Sequence, residues 1–406
     1  MGKRSSFFYL NATNCLITLN DAIFRLIVTY SLIDTLGVEY SNTILSVSAT
    51  LFILPFLFFT YSSGQLADKF SKNQVIIWTM WAELFFMFLG LGAIALKNPF
   101  FSYFALFLIA LQASVFTPVK FAIIPEIEPK ERLSKTNGIL TLSMYLSIIL
   151  GTFLATIICD LTNKNYTLVV LVCIAFSLMG IYSGYKIENT PVKNHLRKID
   201  LFFFKDMVRT FKIASEHRYL LLSIFASSYF LFTAAYTQLN LIPFGMQSLG
   251  LSDVDTGYIY LSAALGVGIG SWVVGTLSGK QVKLRLSVWG AFGTSFSYII
   301  LFFAQHHLIF SVFLFFLVGF NGGLYVVPMD AYIQLASPEK HRGAIVGAGT
   351  LMGFIGVLFS AGAIALMGNL FGWQAATGYL VIGLISLMVS CWIFYCLSRS
   401  EKRLHE

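Results

Sequence analysis

The first long apolar run of the chain carries a regular series of polar residues. Between residues 11 and 25 they follow one another at intervals of three or four positions, at Asn11, Asn14, Thr18, Asp21 and Arg25. On an α-helix this spacing places all of them on one face. A carboxylate and a guanidinium inside a membrane span are costly, so they should face a water-filled cavity or a partner. The series therefore predicts a polar transport path, with Asn14, Thr18, Asp21 and Arg25 as substrate-binding residues.

A purely structural interpretation of the same helix stays open. Asp21 and Arg25 are one helical turn apart, so they can pair with each other. Such an internal ion pair would fix the rotation of the helix without touching a substrate. The three further polar residues on the same face favour the path.

Two more ionisable residues interrupt apolar runs. Glu83 is the acid of the third run, and Lys120 ends the fourth run two residues after Pro118. Proline opens a helix backbone, and a lysine is a point charge that suits phosphate. We count both as candidate substrate-binding residues. The alternatives are a structural hydrogen bond from a hydroxyl to Glu83 and a Lys120 that extends to the membrane surface.

Composition defines the class of protein. Of 406 residues, 57% are hydrophobic and 11% are charged, and apolar runs long enough to span a membrane recur from end to end. This is typical of a polytopic, all-α integral membrane protein. The five cysteines show no metal-ligand or redox spacing, so neither a metal site nor a cofactor is expected.

The basic residues indicate the orientation. Lys97 and Lys164 fall in loops on one side, and Arg25 and Lys120 lie in spans or at their ends, whereas the other lysines and arginines fall in the termini and the alternate loops. The positive-inside rule then places both termini in the cytoplasm. The net charge of +8 is explained by these loops and predicts no nucleic-acid partner.

Twelve transmembrane helices are predicted, in two six-helix halves. The N-terminal half covers residues 1–187, a cytoplasmic linker covers 188–217, and the C-terminal half covers 218–406. The predicted spans are 8–34, 43–66, 75–96, 101–121, 136–159, 166–186, 219–246, 255–277, 287–304, 308–332, 344–368 and 374–397. In the linker, Leu201, Phe204, Met207, Val208 and Phe211 form one apolar face, which predicts an amphipathic helix in the membrane interface.

The halves repeat each other. The loop after span two reads GQLADKFSK from Gly64, and the loop after span eight repeats its frame from Gly275, with Gly279 in place of Asp68. Pro118 and Arg132 recur at the same separation as Pro328 and Arg342. A parallel repeat of six spans is typical of the major facilitator architecture. The expected gating residues are Asp68, Lys69, Lys72, Arg132, Asp330 and Arg342. The alternative for the loop residues is a charged turn that only sets topology.

Four stretches resemble the bacterial lysophospholipid transporters of the major facilitator superfamily. The resemblance extends to the free-standing LplT-type proteins and to the transporter half of fused acyltransferase–transporter proteins. The stretches are NDAIFR from Asn20, GQLADKF through Trp81-Ala-Glu83, TPVKF from Thr117 through Asn137-Gly138, and GGLYVVP from Gly322 with His341-Arg342. The chain departs from the family pattern at Ala22, at Asp330 and in span seven, where the usual arginine is missing.

This resemblance implies a flippase of the bacterial inner membrane. It would move lysophosphatidylethanolamine and lysophosphatidylglycerol from the outer to the inner leaflet by alternating access, as a monomer among membrane lipids. A separate cytoplasmic acyltransferase would then restore the second acyl chain. Asp21, Glu83 and Lys120 match polar intramembrane residues of the family, and Asp68 matches its gate aspartate.

Two rival functions remain as alternatives. The first is a facilitator that exports drugs or another metabolite, coupled to protons through Asp21 or Glu83. The second is a membrane lipid acyltransferase, for which His195 and Asp200 supply a formal HxxxxD pattern. That motif needs a surrounding catalytic domain, and a short linker does not provide one, so we expect no enzyme activity.

Overall fold

Long apolar helices make up most of the described chain. A computed structural model describes residues 3–192, 194, 204–251, 253–279 and 281–402. Within these residues, twelve helices are long and apolar enough to cross a membrane, which confirms the predicted all-α, twelve-span fold. His195, Asp200 and Leu201, which entered the sequence analysis, lie outside the described residues.

The described α-helices are numbered in chain order. Those preceding the linker are α1 (Lys3–Leu36), α2 (Ser41–Lys69), α3 (Lys72–Ala95), α4 (Pro99–Ile127), α5 (Leu133–Leu161) and α6 (Tyr166–Tyr185). The linker contains α7 (Phe204–Ser215). It is followed by α8 (Leu220–Leu249), α9 (Asp253–Leu277), α10 (Leu284–Phe303), α11 (Leu308–Ala336), α12 (Arg342–Ala365) and α13 (Ala375–Lys402). Short 3₁₀ turns at Val38–Tyr40 and Lys130–Arg132 precede α2 and α5, and a π-helical turn at Leu366–Leu370 follows α12.

Several helices run past the ends that hydropathy predicts. Helix α2 continues to Lys69, and α4 continues to Ile127 through Pro118 and Pro125. Backbone hydrogen bonds extend a helix until its geometry breaks, whereas a hydropathy window stops at the first charges. Helix α2 ends where Phe70 takes an extended conformation. Asp68 and Lys69 of the loop frame therefore lie on the last turn of α2, whereas Lys72 begins α3.

The first of two compact units comprises Met1–Glu128, Ser147–Lys212 and Ser337–Leu351. It contains α1 to α4, the end of α5, α6, most of α7 and the beginning of α12. Its helix packing joins α2 and α3 to α4, α1 to α6, α3 to α6, α1 to α4 and α1 to α2.

The second compact unit comprises Pro129–Leu146, Ile213–Ala336 and Met352–Glu406. Here α9 and α10 pack on α11, α8 on α13, α10 on α13, α8 on α11 and α8 on α9. When α8 to α13 are matched in order with α1 to α6, these are the same six pairs as in the first unit. The repeat inferred from short motifs is therefore a repeat of helix packing.

Glycines allow close backbone contacts inside each unit. In the first unit, a Cβ added to Gly64 would lie 2.2 Å from the carbonyl oxygen of Gly343 on α12. In the second unit, a Cβ on Gly270 of α9 would lie 2.0 Å from the carbonyl oxygen of Phe320 on α11. Both distances are shorter than any real contact, so these positions need glycine for packing.

The linker helix α7 is attached to α2 through polar side chains. Asp206 Oδ2 accepts hydrogen bonds from Tyr61 Oη at 2.8 Å and from Gln65 Nε2 at 2.6 Å. Tyr61 Oη also lies 2.8 Å from Thr210 Oγ1, one turn further along α7. Tyr61, Gln65 and Thr210 are buried, whereas Val208 is 67% exposed. One face of α7 therefore docks by hydrogen bonds, and part of its apolar face stays uncovered.

Replacement of Asp206 tests this attachment. Asp206→Ala leaves the buried Gln65 amide without one acceptor, and an unsatisfied buried group costs about 1–3 kcal/mol. We expect a lower free energy of unfolding in detergent. Arg209→Ala, on the exposed side of the same helix, is the matched control and should behave as the wild type. Equal effects of the two substitutions would show that the Asp206 hydrogen bonds contribute nothing.

Candidate functional site

Lys120 is held inside the first unit by the polar series of α1. Its Nζ donates a hydrogen bond to Asn14 Oδ1 at 2.8 Å. It also lies 5.4 Å from the ring centroids of Phe116 and Phe121 on its own helix. Lys120 is 5% exposed and Asn14 is fully buried. Lys120 thus points into the helix bundle and does not extend to the surface.

Glu83 on α3 forms a second buried contact with α1. Its Oε1 accepts a hydrogen bond from Asn20 Nδ2 at 2.6 Å, and Ser177 Oγ of α6 lies 3.3 Å away. Asn20 Nδ2 also donates to Ser177 Oγ at 2.9 Å. Asn20 is fully buried, and Glu83 and Ser177 are 1% and 2% exposed. Three helices therefore meet at one amide, one carboxyl group and one hydroxyl, and the hydroxyl partner considered for Glu83 is present.

Asp21 and Arg25 lie one helical turn apart on α1 and differ in exposure. The Arg25 guanidinium is exposed and lies 5.4 Å from the centroid of the Phe52 ring on α2. Asp21 and Thr18 are half-buried on α1. The Arg25 guanidinium thus lies beside a ring of α2, and both interpretations of the Asp21–Arg25 spacing stay open.

Several shielded polar atoms in this unit have no hydrogen-bond partner among the described residues. On α1 they are Asn14 Nδ2, Asn20 Oδ1 and Asp21 Oδ1, and on α4 they include both amide atoms of Gln112. Each such atom costs free energy unless a ligand or water satisfies it. Together with Lys120 and Glu83, these atoms offer donors, acceptors and charges of both signs. The cluster suits a small group that carries a phosphate and a polar or cationic substituent.

The Asn20–Glu83 contact predicts a coupled effect on stability. Asn20→Leu removes the closer donor of the buried Glu83 carboxyl group and should cost about 2 kcal/mol, whereas Glu83→Gln keeps an acceptor and should cost less than about 1 kcal/mol. The Asn20→Leu/Glu83→Leu double variant removes both partners and should recover much of the loss. Unfolding in detergent of the wild type, Asn20→Leu, Glu83→Leu and the double variant gives the double-mutant cycle. Strictly additive effects would contradict the contact.

Asp68 caps the first turn of α12 inside the same unit. Its Oδ1 accepts from the Gly343 amide at 2.7 Å, and its Oδ2 accepts from the Ala344 amide at 2.9 Å. Asp68 is fully buried at the end of α2. Free amides and the helix dipole make a helix N-terminus a favourable partner for a carboxylate. A single side chain therefore joins two spans that are far apart in sequence.

The linker touches the same region. The Asn194 amide donates to the Asp68 carbonyl oxygen at 3.1 Å, and Asn194 Nδ2 lies 3.5 Å from the Lys340 carbonyl oxygen. Asn194 therefore contacts both the end of α2 and the turn that leads into α12.

The other predicted gating residues of the first unit have different surroundings. Lys72 Nζ lies 2.7 Å from Glu126 Oε1, and this buried salt bridge joins α3 to α4. Lys69 lies with its Nζ 5.7 Å from the centroid of the Phe70 ring. Arg342 is 6% exposed and its Nη2 lies 3.5 Å from the Ser337 carbonyl oxygen.

Two predicted gating residues belong to the second unit. Arg132 is half-buried in the turn before α5. Asp330 is half-buried on α11, and its Oδ1 accepts a hydrogen bond from Ser227 Oγ of α8 at 2.6 Å. A serine hydroxyl thus donates a hydrogen bond to the carboxyl group of Asp330, the residue at which the chain departs from the family pattern.

Asp68 gives a prediction for gating. Asp68→Asn keeps one acceptor but loses the charge at the α12 N-terminus, which weakens the contact by about 1–2 kcal/mol. We expect a several-fold change in the maximal transport rate, with little change in substrate affinity. Lys186→Gln, which removes a charge at the end of α6 and outside the predicted gating set, is the control. Wild-type rates for Asp68→Asn would contradict a gating role.

Some residues of the site were not found from the sequence. Asn20 and Ser177 share the Glu83 contact, but a lone amide or serine in an apolar run gives no distinctive pattern. Tyr61 and Gln65, which bond the linker helix, were also missed. They precede Asp68 at helical spacing on α2, and that spacing is the signal that could have identified them. In the second unit, Asn137 and Gln334 donate to each other's side-chain oxygens at 2.9 and 2.8 Å. Among the described residues, no three His, Cys, Asp or Glu side chains gather as a metal site.

The sequence of this chain is similar to a family of known transporters. The family model described as Major Facilitator Superfamily matches residues 10–297 and 283–406. A lysophospholipid transporter LplT of Citrobacter koseri is 25% identical over 88% of this chain and 87% of its own length. The LplT proteins of Escherichia fergusonii and Shigella boydii are 27% and 28% identical over 77% of this chain and 74% of theirs. The resemblance to lysophospholipid transporters is confirmed.

Solved structures share the fold. The human organic anion transporter MFSD10 superposes with a TM-score of 0.79 at 12% identity, over 96% of this chain and all of that one (100%). The Escherichia coli fucose:proton symporter FucP gives a TM-score of 0.77 at 12% identity, over 98% of this chain and 99% of that one. A bacterial homologue of the iron transporter ferroportin gives 0.74 at 15% identity, over 97% and 99%. At these identities the likeness concerns the fold alone.

Proposed function

We propose that this chain, which belongs to the major facilitator superfamily, moves lysophospholipids across a bacterial inner membrane by alternating access. That it is a multi-pass membrane transporter follows from the family and from its twelve apolar helices. The proposal adds the substrate, such as lysophosphatidylethanolamine or lysophosphatidylglycerol, and a direction from the outer to the inner leaflet. It also places both termini in the cytoplasm, where a separate acyltransferase would use the product.

The observation that carries the proposal is the buried Lys120. A lysine that is 5% exposed and anchored by Asn14 at 2.8 Å keeps its charge away from water. An ammonium group in such a place is stabilised by an anion, and a phosphodiester is an anion of suitable size. This favours a phosphate headgroup over a neutral sugar or an apolar drug.

The acidic residues of the cluster fit the rest of a headgroup. Asp21 has a shielded oxygen without a partner, and Glu83 of α3 contacts Asn20, the residue that precedes Asp21 on α1. A carboxyl oxygen can accept from the ammonium of an ethanolamine or from the hydroxyls of a glycerol. Both headgroups therefore match the donor and acceptor set of the first unit. The LplT relatives support the same class of substrate.

Transport of a labelled lysolipid tests the proposal. In proteoliposomes, labelled lysophosphatidylethanolamine placed in the outer leaflet should move to the inner leaflet faster than it does in liposomes without the protein. Lys120→Met removes the phosphate partner and should slow movement about tenfold or more, because a hydrogen bond to a charged group contributes about 1.5–3 kcal/mol.

Lys186→Met is the matched control. Lys186 also lies 5.4 Å from an aromatic ring, that of Tyr182, but it follows α6 outside the cluster. Normal movement by this variant together with slow movement by Lys120→Met would support the headgroup site. No movement by the wild type, with or without a proton gradient, would reject the lysolipid. Proton-driven export of a drug dye through the same liposomes would instead favour the rival exporter.

A further inference from the structure

A cavity in the second unit lies between the end of α9 and the turn that precedes α5. Both segments belong to this one compact unit. The cavity has a volume of about 520 Å³, whereas a water needs about 10–15 Å³ of such space. It is therefore wide enough for a polar headgroup. Its wall includes Glu131, Arg132, Lys135, Thr276 and Gly279.

Two basic side chains of this wall lack an anionic partner. Among the described residues, neither the Arg132 guanidinium nor the Lys135 ammonium forms a hydrogen bond or a salt bridge. Arg132 is half-buried, and Lys135 is exposed. Glu131 is an exposed acid of the same wall, and within the described part of the chain it forms no salt bridge with either of them. The wall therefore carries one more positive than negative charge.

The arginine that matches Arg132 in the repeat has acidic neighbours. This arginine is Arg342, and it belongs to the first unit. Its guanidinium is attracted electrostatically by three acids, which are Glu126, Glu339 and Asp68. The first unit thus supplies, from its own side chains, the anions that surround this basic residue.

The second unit lacks two of these acids at the matching positions. Gly279 takes the place of Asp68 in the repeated loop frame. Ala336 takes the place of Glu126, since each lies six residues before the matching arginine. In addition, Lys135 adds a positive charge where the first unit has an isoleucine. The second unit therefore has an excess of positive charge where the first unit contains anions.

We propose that this cavity binds the phosphate group of a membrane phospholipid, which supplies the negative charge that Asp68 and Glu126 supply in the first unit. A guanidinium holds a phosphate through two parallel N–H bonds, and an ammonium adds a point charge. Gly279 leaves room for the ligand, because a Cβ added there would meet no atom within 4 Å. Since Glu131 shares the wall, a phosphodiester with a single negative charge fits better than a phosphate dianion. This site is separate from the choice of transported substrate.

An exposed apolar stripe on α9 leads to the cavity and favours a lipid over free phosphate. Leu265, Ile269 and Trp272 are 40%, 40% and 50% exposed. They follow one another at intervals of three or four residues, and Thr276 of the cavity wall continues the series. A membrane span presents such a surface to acyl chains, and tryptophan is enriched at the level of the headgroups. A phospholipid whose chains lie along this stripe therefore has its phosphate beside Thr276.

Binding of a short-chain phosphatidylglycerol to the purified full chain tests the proposal. Native mass spectrometry in detergent gives the dissociation constant. Arg132→Met should raise it about tenfold or more, because a hydrogen bond to a charged group is lost. Lys130→Met is the matched control, since it removes the same charge from an exposed residue of the same turn outside the cavity wall. Equal affinities of the wild type and Arg132→Met would overturn the proposal.

A second pair of variants replaces the phosphate with a side chain. Gly279→Asp restores the carboxylate of the repeat, which repels the phosphate and attracts Arg132, so it should weaken lipid binding about tenfold. Gly279→Asn has the same shape and the same cost at a φ of +61°, but it carries no charge and should bind the lipid as the wild type does. Equal weakening by the two substitutions would contradict the proposal.

Two further ligands identify what the cavity recognises. Inorganic phosphate at the same concentration should not displace phosphatidylglycerol from the wild type, because it makes no contact with the α9 stripe. Displacement by inorganic phosphate would overturn the assignment to a lipid. A diacylglycerol with the same acyl chains lacks the phosphate and should bind about tenfold more weakly or worse. Equal binding of the two lipids would show that the basic residues are not used and would overturn the proposal.

Discussion

A polar group within a membrane span has no water to bond with, and this constraint explains most of the specific contacts in the structure. Glu83 is acceptable in α3 because Asn20 and Ser177 reach it from two other helices. Lys120 is acceptable in α4 because Asn14 accepts its hydrogen bond and two phenylalanine rings lie beside it. The polar residues of the first unit thus position its helices even before any ligand binds.

The two units use the same helix pairing for different interiors. In the first unit the interior contains amide, carboxyl and ammonium groups, several of which keep an atom without a partner. In the second, Tyr236, Tyr298 and Tyr379 stack together or meet edge to face, and their region is closed by threonine hydroxyls. Small residues and helix length set the packing of the helices, so the same packing accommodates charged and amide side chains in one unit and aromatic side chains in the other.

The sequence predicted what depends on one helix at a time. Length and hydropathy were sufficient for the twelve spans, and recurring prolines and glycines were sufficient for the repeat. Asn14, Glu83, Lys120 and Asp68 were recognised because a charge or an amide in an apolar run is conspicuous. Their partners were not recognised, because these contacts join distant parts of the sequence. Asn20 and Glu83 are 63 positions apart, and Asn20 and Ser177 are 157 positions apart.

The loop frames show how a small local change alters a repeated element. In the first unit α2 continues through Asp68 to Lys69, which brings the carboxylate to the first amides of α12. In the second unit α9 ends at Leu277, and Gly279 at the matching position has a φ of +61°. That left-handed conformation suits glycine better than a residue with a Cβ atom, so the frame becomes a helix stop. One copy of the repeat therefore supplies an anionic cap for a helix N-terminus, and the other supplies only a turn. Since Gly279 has no carboxylate, it cannot form such a cap in the second copy. The loss of the Asp68 cap is therefore not compensated at the matching position of the repeat.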